Sequence, residues 1–134
     1  MVVFIDTNVF IAYANVRDGQ HKKAVNLMER IMSLEYGAPV TSDYVFDEAV
    51  TVALARSNDK DMAITLGNHI LASMRMLKMN AVVFVRAWRR FKTAHEKMSF
   101  TDCTNLAFLE IIKDKRIATF DKEFDDVSGV EVIT

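Results

Sequence analysis

The chain has 134 residues, 51% hydrophobic and 26% charged, with a formal net charge of −1. This length supports one domain, residues 1–134, burying roughly two thirds of its unfolded surface, and the composition excludes a disordered or fibrous chain. One cysteine, Cys103, excludes an intramolecular disulfide. No apolar run reaches the ~18 residues of a membrane span, so a cytoplasmic location is expected. The charge balance excludes global attraction to nucleic acid and leaves only a local basic patch or a bound cation to supply it.

In chain order, Val2-Val3-Phe4-Ile5 reads as a strand apolar on both faces, the mark of a parallel sheet's interior. Asp6 ends it, at the carboxyl edge where open α/β sheets bind ligands. Asn8 to Ala14 forms a short helix, and Gln20 to about Glu35 a second with Ala24, Leu27, Met28 and Ile31 inward. Pro39 to Thr41 is extended. Ser42 or Asp43 caps a helix reaching about Arg56, and Asp61 to about Ser73 is the next. Met74 to Met79 reads as a strand, and Asn80 caps a helix from Ala81 to about Thr93 with Phe84, Ala87, Trp88 and Phe91 as its apolar stripe. Ser99-Phe100-Thr101-Asp102 resembles a capping box opening a helix to about Lys113. Arg116 to Phe120 and Val130 to Ile133 complete five strands. This alternation predicts a three-layer α/β/α sandwich around a central, mainly parallel five-stranded sheet.

Taken singly, the acids are ordinary. Asp6 can cap a helix, Asp102 can complete a capping box, and Asp121 can open a turn after a strand. Glu48 is less easily explained, because it falls within the apolar stripe of its helix, where a carboxylate needs a partner or a cation; its neighbour Asp47 reads as the surface acid. Together, three acids stand at strand ends or helix starts on one edge and a fourth projects from an inner face. Carboxylates ~4 Å apart repel by about 4 kcal/mol at an effective dielectric near 20. Gathering them implies a cation, and all-oxygen ligands select Mg²⁺ or Mn²⁺. Such a site favours metal-assisted hydrolysis of a phosphate ester.

The segments Phe4-Ile5-Asp6-Thr7-Asn8, Thr41-Ser42-Asp43-Tyr44-Val45-Phe46-Asp47-Glu48, Ser99-Phe100-Thr101-Asp102-Cys103 and Thr119-Phe120-Asp121-Lys122-Glu123-Phe124, in this order, resemble a PIN-domain nuclease, in particular the VapC-type toxins of toxin–antitoxin pairs. The resemblance spans almost the whole chain. It carries the family's four metal-binding, catalytic acids onto Asp6, Glu48, Asp102 and Asp121, with Asn8 and Thr119 supporting and Asp125 as an accessory acid. It implies Mg²⁺- or Mn²⁺-dependent cleavage of single-stranded RNA, a homodimer and a small cognate antitoxin protein as partner. A PIN-fold RNA-processing or RNA-binding scaffold without toxin activity is the alternative.

Two other families fit less well. Haloacid-dehalogenase phosphatases need a second Asp two residues after the first, where this chain has Asn8, and phospho-acceptor receivers pair acids directly after the first strand, where it has Thr7. For the substrate, Arg86, Arg89, Arg90 and Lys92 are candidate phosphate contacts, and Tyr13, Tyr44 and Phe100 candidate stacking surfaces. His21, His69 and His95 lack metal-ligand spacing. The eight Met residues read as core filler or as apolar surface for a protein partner.

Overall fold

The computed structural model describes residues 1–94 and 97–134; His95 lies outside the described residues. Five strands form one parallel sheet in the order β3-β2-β1-β4-β5. They are β1 (Val2–Ile5), β2 (Ala38–Ser42), β3 (Arg75–Leu77), β4 (Arg116–Ala118) and β5 (Glu131–Ile133). β1 is central, and Val3, Phe4 and Ile5 are fully buried, each worth roughly 1.5–3 kcal/mol of transfer free energy. It pairs with β2 through Val2–Ala38 and Phe4–Val40, and with β4 through Phe4–Ile117 and Ile5–Ala118.

Among the described residues six helices cover the sheet: α1 (Thr7–Ala14), α2 (His21–Met32), α3 (Asp43–Ser57), α4 (Lys60–Ser73), α5 (Ala81–Thr93) and α6 (Phe100–Ile112). The chain steps from β1 outward to β2 and β3, then returns across β1 to β4. Right-handed crossovers therefore place α1 to α4 on one face and α5 with α6 on the other, and the helices pack mainly within these two groups, with α3 also meeting α6. The α/β/α sandwich and its parallel sheet follow the sequence expectation. Among the described residues no helix is long and apolar enough to cross a membrane.

Local chemistry sets the boundaries. Ser42, Asp59 and Asn80 accept from the backbone N–H groups of Val45, Met62 and Val83, capping α3, α4 and α5. α2 ends at Met32, three residues before the expected Glu35, because Leu34 turns into the left-handed region (φ 67°). β4 stops at Ala118, two residues before the expected Phe120. The Phe120 N–H is taken by the Asn8 side chain at 3.0 Å, so it is withdrawn from the ladder. In α5 only Val83 and Ala87 are buried. Phe84, Trp88 and Phe91, expected to face inward, are 42–48% exposed and pack around Phe100, with Phe84 and Trp88 tilted to its ring and Phe91 edge-on. Of the methionines, Met28, Met74 and Met98 are buried and Met62, Met76 and Met79 pack against the core, while Met1 and Met32 are exposed.

Candidate active site

The order in which strands are added reverses between β1 and β4, all strands staying parallel, and a cleft lies at their carboxyl ends, the expected binding position in such sheets. One residue past each strand, Asp6 and Thr119 lie side by side, since Asp6 N–H donates to the Ala118 carbonyl at 3.0 Å. The Thr119 hydroxyl donates to Asp6 Oδ2 at 2.8 Å and accepts from the Asp121 N–H at 3.0 Å. Asn8 Nδ2 donates to Asp6 Oδ2 at 3.3 Å and to Thr119 Oγ1 at 3.1 Å. The other Asp6 oxygen accepts from the Thr7 N–H at 2.8 Å and from Asn105 Nδ2 at 2.9 Å.

Asp6 is thus a buried carboxylate fixed by four donors. Burial pushes its pKa up to about 7; the Asp102 charge adds to this, and the Thr119 and Thr7 bonds oppose it. Asp102 sits in the first turn of α6, where Ser99 Oγ accepts from its N–H at 3.1 Å and its own Oδ2 accepts from the Ser99 N–H at 3.0 Å. The expected capping box is therefore present. Burial, with the charges of Asp121 and Glu48, pushes the Asp102 pKa up to about 6 against the Ser99 bonds.

Asp121 caps a single 3-10 turn over Lys122–Asp126, its Oδ1 accepting from the Glu123 N–H at 2.9 Å. Glu48 is half-buried on α3, and Asp47 beside it is exposed. All four acids line one cleft of about 400 Å³ together with Asn8, Ser99 and Phe120. Thr119 is buried behind it. Asp125 is exposed on the neighbouring groove, which shares Asp121 with the cleft.

Two further residues belong to this region. Asn105, fully buried one helical turn after Asp102, holds Asp6 while its own Oδ1 has no hydrogen-bond partner among the described residues. An amide inside the apolar run Cys103-Thr104-Asn105-Leu106-Ala107 was the available signal. Arg56, two turns after Glu48 on α3, is a cation on the cleft wall.

Other candidates have structural partners. Arg86 lies 3.3 Å from Glu110, and Arg90 is bonded to the same carboxylate, so Glu110 competes for two of the expected phosphate contacts. Lys92 lies over the Trp88 ring. Tyr13 stacks on His69, and His21 Nδ1 bonds to the Ala12 carbonyl at 2.8 Å. Tyr44 meets Phe100 in the aromatic cluster.

Among the described residues, no three acidic, His or Cys side chains stand close enough to hold one ion directly. Mg²⁺ commonly keeps several waters and takes only one or two protein carboxylates. A cleft whose acids offer only carboxylate oxygens, with two of those acids held above their ordinary pKa, fits a hydrated ion of that kind.

The PIN-domain profile matches residues 3–130, and the chain belongs to that family. Among solved structures it is similar to VapC20 of Mycobacterium tuberculosis, described as a toxin that cleaves the sarcin–ricin loop. Identity is 25% and the TM-score 0.84, over 97% of this chain and 98% of that one. VapBC-1 from nontypeable Haemophilus influenzae (17% identity, TM-score 0.71, 99% and 97% of the two chains) shares the fold. So does VapBC2 from Rickettsia felis bound to a fragment of its promoter DNA (13%, 0.73, 99% and 98%). No curated protein matches the chain.

Proposed function

We propose that the chain is a Mg²⁺- or Mn²⁺-dependent endoribonuclease that hydrolyses phosphodiester bonds of single-stranded RNA, acting as the toxin of a VapBC-type pair. The observation that carries this reading is the meeting of Asp6, Glu48, Asp102 and Asp121, from four separate segments, in one cleft at the switch point of the sheet. Membership of the PIN family and the likeness to a toxin that cleaves RNA support it.

Asp6, Asp102, Asp121 and Glu48 would hold the ion, directly or through water. When bound, a divalent ion supplies neutralising charge for the phosphate and lowers the pKa of water. The chain's own work is positional. Asn8, Asn105, Thr7 and Thr119 fix both oxygens of Asp6, so its orientation is set before any ligand arrives. Ser99 does the same for Asp102. Glu48, half-exposed on α3, can ligate the ion or accept a proton from the attacking water. No protein nucleophile is required.

Protein partners belong to the same proposal: a small antitoxin and a second copy of the chain. Solved toxin–antitoxin complexes share the fold. The half-exposed Phe84, Trp88 and Phe91 form an apolar patch suited to protein contact.

The test is incubation of the purified protein with end-labelled single-stranded RNA in Mg²⁺, Mn²⁺ or EDTA. Cleavage that requires the metal is expected. Absence of both cleavage and calorimetric metal binding would leave a PIN-fold scaffold.

A further inference from the structure

A groove of about 700 Å³ adjoins the acidic cleft and shares Gln20, Phe120 and Asp121 with it. Its walls carry Lys22 and Lys23 from the first turn of α2, Lys122 from the 3-10 turn and Arg30 from the last turn of α2. Arg30 is engaged: it bonds to the Tyr36 hydroxyl and to the Thr134 carbonyl and lies 3.8 Å from Glu35. Lys22, Lys23 and Lys122 are exposed, and among the described residues none of the three has a hydrogen-bond or ion-pair partner.

Structure alone does not explain the two lysines of α2. Cations in a first turn oppose the helix dipole, and this helix has neither an acid there nor a side-chain cap. A chain of net charge −1 thus concentrates three exposed cations beside its acidic cleft.

Resting on the nuclease reading above, we propose that this groove is the track for single-stranded RNA flanking the scissile phosphate. Lys22, Lys23 and Lys122 contact successive backbone phosphates, and Phe120, at the junction of groove and cleft, marks where the strand enters the acids. A polyanion has reason to approach the acidic cleft only along such a border. The contacts are to phosphates, so they carry affinity rather than base preference.

The test is binding of a fluorescent single-stranded oligoribonucleotide in EDTA, where hydrolysis is not required, as a function of salt. Each phosphate contact contributes a slope of about −0.7 in log K against log salt. The triple variant Lys22→Gln, Lys23→Gln, Lys122→Gln should lower the magnitude of the slope by about 2. A control triple at Lys60, Lys78 and Lys113 should leave it unchanged. Equal slopes for the two triples, or no binding by wild type, overturn the proposal. So does a result in which the groove triple binds RNA like wild type but no longer binds a polyglutamate peptide, which would make the groove a site for an acidic protein segment. Loss of binding in the groove triple, in a protein that never cleaves RNA, would uphold the groove and reject the hydrolytic reading, so the two failures are distinguishable.

Discussion

The Thr119 hydroxyl donates to Asp6 Oδ2 at 2.8 Å while accepting from the Asp121 N–H at 3.0 Å and from Asn8 Nδ2 at 3.1 Å. One buried oxygen thus joins the ends of β1 and β4 and carries two of the four acids, and its donor and both acceptor positions are filled.

Thr119→Val keeps the shape and removes that oxygen, leaving Asp6, Asn8 and the Asp121 N–H short of a partner. A stability loss of about 1–3 kcal/mol is expected, with metal affinity reduced roughly 10–100-fold. Thr119→Ser should restore most of both. Urea unfolding and calorimetric Mn²⁺ titration of the two variants check this, and a Val variant with wild-type affinity would remove Thr119 from the site.

Asp6 and Asp102 give an unusual pH dependence. Their pKa values, about 7 and about 6, lie above the 3.8 of an ordinary aspartate. The folded protein therefore holds these protons more tightly than the unfolded chain does. The associated stability is fully present below about pH 4 and is lost as pH rises through 6 and 7. For fully buried Asp6 the loss by pH 8 is on the order of 2–4 kcal/mol. Asp6→Asn, neutral throughout, should unfold with a flatter profile between pH 5 and 8 than wild type. Parallel profiles would contradict the assignment.

Added Mg²⁺ or Mn²⁺ should act in the opposite sense, favouring the ionised acids. Thermal unfolding should therefore shift upward more at pH 8 than at pH 5, by RT ln(1 + [L]/Kd). Asp102→Asn should lose most of that shift while keeping the capping box, because an Asn at the same place still accepts from the Ser99 N–H. A shift equal in wild type and variant would locate the metal elsewhere.

Gly67 links packing to the site. A Cβ placed on it would meet Val50 Cγ1 at 3.3 Å and the Phe46 ring at 3.4 Å, both on α3, the helix that carries Glu48. Gly67→Leu should force α3 and α4 apart, at a cost of about 1–3 kcal/mol. A urea midpoint unchanged from wild type would show that the two helices tolerate the separation.

Much of this arrangement is legible in the sequence because its signals are local. The apolar run Val2-Val3-Phe4-Ile5 identifies a buried strand, and the acid ending it marks the carboxyl edge. Ser99 and Asp102 announce their reciprocal cap by spacing alone. Glu48 is betrayed by its place in the apolar stripe of α3. What escapes a sequence reading depends on partners distant along the chain. Asn105 meets Asp6 across 99 positions, and Arg86 and Arg90 find Glu110 on the adjacent helix. Of the inward stripe expected on α5 only Ala87 is buried; Phe84, Trp88 and Phe91 meet Phe100 at the start of α6 and stay half-exposed at the border.

The most direct test compares RNA cleavage by wild type with Asp6→Asn, Glu48→Gln, Asp102→Asn, Asp121→Asn and the control Asp47→Asn, in saturating Mn²⁺. Asp47 adjoins Glu48 in sequence and points to solvent. The account predicts that each of the four site variants cleaves at least about 100-fold more slowly, equivalent to roughly 2.7 kcal/mol of barrier, while Asp47→Asn matches wild type. Cleavage at wild-type rate by the four site variants, or equal loss in Asp47→Asn, would contradict it.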